Sequence, residues 1–100
     1  MLFDVRSHEE GATTVVSVVG DVDLASLPRF AEALSATRGP TTIDLTGVDF
    51  FDPVCLGVLV AADLRSRREG TALGVIVGAA VGSLLAEARL EGILKVVHAG

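Results

Sequence analysis

The chain has 100 residues, half of them hydrophobic, with a formal net charge of −5 and a pI near 4.8. That length makes one domain, residues 1–100, whose core needs neither disulfides nor metal. The acidic balance, and four Phe with no Trp or Tyr, exclude the basic and stacking surfaces that nucleic acids require.

Residues 2–7 alternate Leu2, Asp4 and Arg6 with Phe3 and Val5, the period of a strand. Glu9-Glu10-Gly11 is a turn signal. Residues 13–19, rich in Thr and Val, read as a second strand that forms a hairpin with the first. Residues 23–38 carry Leu24, Leu27, Ala31 and Leu34 at helical spacing, and Gly39-Pro40 stops that helix. A strand over 41–46 follows, then a helix over 53–69 closed by Gly70. A strand over 71–77, a helix over 79–89 and a short strand over 93–98 complete the chain. The order ββαβαβαβ predicts an α/β fold: a mixed, mainly parallel sheet with crossover helices.

The N-terminal MLFDVRSHEE lacks a basic segment followed by an apolar run. The longest apolar stretches, residues 54–62 and 72–81, are about half of the roughly 20 residues that span a bilayer. The single cysteine excludes an internal disulfide and fits a reducing compartment. The expectation is a soluble cytoplasmic protein with no membrane insertion.

The chemistry concentrates in residues 43–57, IDLTGVDFFDPVCLG. Asp52-Pro53 is a helix-start signal: Asp accepts backbone N–H bonds as N-cap, and Pro suits the first helical position. On a wheel of 100° per residue, Leu56, Leu59, Val60 and Leu64 share the face expected against the sheet. Val54, Val58, Ala61 and Arg65 share the opposite face, and its apolar start suggests a contact patch. Cys55 stands near the helix N-terminus, where the dipole lowers a thiol pKa, yet it reads best as a small buried hydrophobe. His8 and His98 have no ligand-spaced companions. Asp21, Asp23 and Asp52 lack a third ligand or a paired base, so neither a metal site nor a catalytic site is expected.

The 43–57 stretch resembles the core signature of the STAS family, of the anti-sigma-factor-antagonist type. That signature is a "-DLS-" strand, a "-V-F-D" turn and a helix opening "DSSGLG". Asp52, Leu56 and Gly57 keep the opening, Pro53 and Val54 replace its serines, and Cys55 replaces its first Gly. Gly20-Asp21-Val22-Asp23 resembles the family's "G-[DE]-[LIV]-D" after the second strand. The C-terminal pattern is matched loosely by Val77, Ala80, Val81, Leu84 and Leu90, with Gly78-Ala79 where the family has Ser-Pro.

The resemblance implies a non-enzymatic domain without cofactor that acts by protein contact. Its partner surface would comprise Asp21, Asp23, Asp52, Pro53, Val54, Val58, Ala61 and Arg65. The implied partner is an anti-sigma factor, often a histidine-kinase-like Ser/Thr kinase, whose capture releases a sigma factor. Val54 occupies the phosphoserine position and has no oxygen to phosphorylate, so the implied binding is independent of phosphorylation. The alternative is a small STAS subunit that binds the ATPase of a lipid-transport ABC system.

Overall fold

The computed structural model of the chain describes residues 2–99. β1 (Phe3–Glu10) and β2 (Thr13–Val22) form an antiparallel hairpin, in register from Phe3 opposite Gly20 to Glu10 opposite Thr13. The connecting turn is Gly11-Ala12, so Glu9 and Glu10 belong to the strand and not to the turn. β3 (Thr41–Phe51), β4 (Leu73–Val77) and β5 (Val96–His98) then add in sequence order, each parallel to its neighbour.

The crossovers are α1 (Leu27–Ser35), α2 (Leu56–Glu69) and α3 (Ala79–Glu87). Right-handed crossovers between successive parallel strands place all three helices on one face of the sheet. The strand period of two sends Val16, Val18, Val22, Ile43, Leu45, Val75 and Val77 to that face, where all are buried. They meet Phe30 of α1, Leu59 of α2, and Val81 and Leu85 of α3. Phe30 and Phe51 pack edge to face, with centroids 5.8 Å apart. The alternate residues Val15, Ser17, Thr42, Asp44 and Ile76 are only half-buried on the other face.

The element order and the mixed sheet match the sequence reading; several boundaries do not. β3 runs five residues past Thr46, because beyond Leu45 it leaves β4 and continues beside β2, with two register shifts. α1 begins at Leu27 with Pro28 in its first turn, and Leu24, expected in the core, lies outside the helix and is 61% exposed. The segment before β5 is a tight turn in which the Ile93 and Leu94 N–H groups both donate to Leu90 O.

The wheel of α2 is rotated from the expected one. Its buried residues are Leu59, Ala62, Asp63 and Ser66, whereas Leu64, expected against the sheet, is 50% exposed. The cause is polar: the buried Asp63 carboxylate accepts from Arg67 Nε at 2.8 Å, and Arg67 Nη2 donates to Ile93 O at 2.6 Å. A satisfied carboxylate is tolerated inside, so the apolar pattern alone misplaces the face.

Gly20 allows a close backbone approach. It has φ of +95°, and a Cβ there would lie 2.0 Å from Leu2 O. That contact lets the Asp21 N–H donate to Leu2 O at 2.8 Å, which tucks the start of β1 under the end of β2.

Candidate docking site at the start of α2

β2 and β3 end side by side, with Asp21 opposite Phe50 and Val22 opposite Phe51. The chain leaves β3 through Asp52, whose N–H donates to Val22 O at 2.8 Å. Asp52 is extended (φ −69°, ψ 130°), and its Oδ1 accepts from the Val54 N–H at 2.9 Å. It caps a single 3₁₀ turn, Pro53–Cys55, that runs directly into α2. Asp52→Ala is expected to cost about 1 kcal/mol and Asp52→Asn clearly less, because Asn caps nearly as well. Urea denaturation of both variants checks this, and equal losses would point to the charge instead of the cap.

Cys55 is fully buried, with its thiol facing Val22 O at 3.9 Å and Asp23 O at 3.7 Å. Burial pushes the thiol pKa up, and the Asp52 and Asp23 carboxylates add to it. The lowering expected from the helix terminus is therefore overridden. The unfolded thiol ionises near pH 8.5, roughly, while the folded one holds its proton. Above that pH the unfolded state binds fewer protons, so stability declines as pH rises toward the folded pKa. Cys55→Ala is expected to flatten this decline above the unfolded thiol's pKa of about 8.5. An unchanged slope in denaturation midpoints would refute it.

Asp23 is fixed reciprocally. Its Oδ1 accepts from the Ser26 N–H at 3.0 Å, its own N–H donates to Ser26 Oγ at 2.9 Å, and that hydroxyl donates to Asp21 O at 2.9 Å. The Ser26 backbone bond, above all, holds the Asp23 carboxyl below its ordinary value. Asp21, by contrast, is only 8% exposed and presents little of its charge.

Three apolar side chains stand in solvent around this junction: Val54 at 63% exposure, Leu24 at 61% and Phe50 at 49%. Asp23, Asp49 and Asp52 lie within two residues of them in the chain, so acidic and apolar side chains alternate at this end of the molecule. Leu24 and Phe50 were not among the residues picked from sequence. The Phe50-Phe51 doublet held a signal, since a strand period of two admits only one of them to the core, and Phe51 is the buried one. Pro53 is exposed beside Val54.

Farther along α2, Ala61 is exposed and Val58 is half-buried against the core. Arg65 faces inward along the molecule. Its Nη2 donates to Leu34 O at 2.8 Å, Thr37 O at 3.2 Å and Thr37 Oγ1 at 3.0 Å, and its Nη1 to Ser35 O at 3.0 Å. The guanidinium placed on a docking face by the wheel is thus committed to the C-terminus of α1. Among the described residues, no three His, Cys, Asp or Glu side chains converge in a metal-binding group, and no helix is long and apolar enough to cross a membrane.

No curated protein matches the chain. Among solved structures, an anti-sigma factor antagonist from Mycobacterium paratuberculosis superposes with a TM-score of 0.88 at 24% identity, over 95% of this chain and 85% of its own. An antisigma-factor antagonist STAS domain from Rhodobacter sphaeroides gives 0.61 at 27% identity, over 74% and 85%. The antagonist SpoIIAA in its unphosphorylated form gives 0.79 at 11% identity, over 99% and 89%. The family model described as "Mlab, STAS domain" matches residues 5–97. With the antagonist fold in place and that match spanning nearly its whole length, the chain belongs to the STAS domain family.

Proposed function

We propose that this STAS domain is a non-enzymatic, cytoplasmic regulator that sequesters an anti-sigma factor, and that phosphorylation does not switch it off. Val54 carries the reading. It stands 63% exposed in the first turn leading into α2, at the position where the family motif has its phosphorylated serine. A phosphate there would add nearly two negative charges to an apolar contact. Valine offers the contact and no atom to modify. Leu24 and Phe50 extend the apolar patch, and Asp23, Asp49 and Asp52 select a partner with a basic rim around an apolar knob.

The test is Val54→Asp, assayed against a histidine-kinase-like anti-sigma factor recovered by co-purification with the parent chain from its native cell. Binding is expected to weaken by about 1–3 kcal/mol, the scale of a lost central contact plus an ill-paired charge. The melting temperature should hold, because the side chain is exposed and a carboxylate suits a helix start. Incubation of the parent with that kinase and ATP should leave residues 52–57 unmodified by mass spectrometry. Unchanged binding of Val54→Asp would place the docking face elsewhere. Capture of a lipid-transport ABC ATPase in place of the anti-sigma factor would establish the alternative reading.

A further inference from the structure

An open groove between α1 and α2 has a volume of about 430 Å³. Its walls are Ala31 and Leu34 of α1 and Val58 and Ala61 of α2, with Ser35 and Arg68 on its lining as well. We propose that this groove binds a small amphiphilic anion, an acyl chain ending in a carboxylate, with the chain along the apolar walls and the carboxylate at Arg68.

Three observations carry this, each of a different kind. The volume falls within the range of about 300–1,000 Å³ that small-molecule sites occupy, and the lining is mostly apolar with a few polar groups, as such sites are. Gly57, kept from the family's helix opening, also lines the groove. A Cβ there would meet nothing within 4 Å, and the fold gives up helix propensity by keeping the space open. The charge is the third. Arg67 is taken by Asp63 and Arg65 by the α1 carbonyls, but among the described residues Arg68 makes no hydrogen bond or ion pair. Arg65 keeps its positive charge beside the groove whatever its hydrogen bonds. In a chain of net charge −5, an apolar trough lined by two guanidinium groups selects an anion with an apolar body.

The probe is decanoate, below its micellar range, titrated into the full ¹⁵N-labelled chain. Saturable shifts are expected at the amides of Ala31, Leu34, Gly57, Val58, Ala61 and Arg68. Decanol, which lacks the charge, should bind about tenfold more weakly, the scale of one hydrogen bond to a charged group. Acetate, which lacks the apolar body, should give no saturable shift. Arg68→Glu should weaken decanoate by about tenfold or more on the same grounds, and Gly57→Leu should abolish it by filling the groove. Both positions are exposed, so Gly57→Leu should melt no lower than the parent, and Arg68→Glu only slightly lower, since a carboxylate in the last turn of α2 opposes the helix dipole. Equal affinity for decanol and decanoate, shifts spread over other faces, or parent-like binding by either variant would overturn the proposal. So would a Gly57→Leu variant that loses the anti-sigma factor while decanoate never saturates the parent, since the groove would then be a protein contact.

Discussion

Gly20→Ala is expected to destabilise the domain by about 3 kcal/mol or more, among the larger effects available to a single methyl group. Two costs add. An L-residue at φ +95° is strained, and forcing an L-residue to positive φ costs roughly 1–2 kcal/mol. The new Cβ would also sit 2.0 Å from Leu2 O and 2.8 Å from Leu2 C, both backbone atoms that no side-chain rotation can move. The start of β1 must therefore lift away. It would give up the Asp21 N–H bond to Leu2 O and the seat of Phe3, whose ring lies 4.9 Å beneath the Arg29 guanidinium. Urea denaturation measures the loss, and a value under about 1 kcal/mol would mean that β1 moves aside cheaply, against this account.

Arg65→Ala is expected to cost about 1–2 kcal/mol, because the last carbonyls of a helix have no partners within it and Arg65 gives the C-terminus of α1 several charged hydrogen bonds, beside those of Thr37 and Arg38. The substitution removes the charged donor from the buried Leu34 O and Thr37 Oγ1, which keep each other as partners at 2.8 Å, while Arg38 still donates to Ser35 O and Thr37 O. The loss is tempered by a liability in the parent, for Arg65 Nε is buried without a hydrogen-bond partner. Arg65→Lys should recover less than half, since an ammonium lacks the planar fork that reaches α1 at several points. Faster amide exchange at Ala36 and Thr37 should accompany the lower melting temperature. If stability holds and partner binding disappears, Arg65 belongs to the docking face after all.

The reading of the sheet from sequence worked where period and punctuation agree. Residues 13–19 are dominated by β-branched side chains, Leu73–Val77 alternates buried with half-buried positions, and Gly39-Pro40 and Gly70 follow the helical segments. The Asp52-Pro53 start was legible for the same reason, since capping is local chemistry. The phase of α2 was not, because Asp63 and Ser66 face the core and only a tertiary contact, Arg67 to Ile93 O, makes room for Asp63 there. Leu24 has helical spacing from Leu27 and Ala31, yet the Asp23–Ser26 hydrogen bonds spend those residues in a turn before α1 begins. At the candidate site, Val54 was visible as a serine position without its serine. Leu24 and Phe50 needed the fold, which alone brings the ends of β2 and β3 together.

The Asp52 N–H and the Cys55 thiol both lean on the carbonyl of Val22, and Asp23 is locked to Ser26. The rim around Val54 is therefore assembled before any partner arrives, and association need not wait for a loop to order. Its kinetics should then be those of a rigid encounter: one bimolecular phase, linear in concentration, with no plateau from a preceding isomerisation. Added salt should slow the approach of a basic partner to this acidic domain while leaving departure, governed by the apolar contacts, nearly untouched.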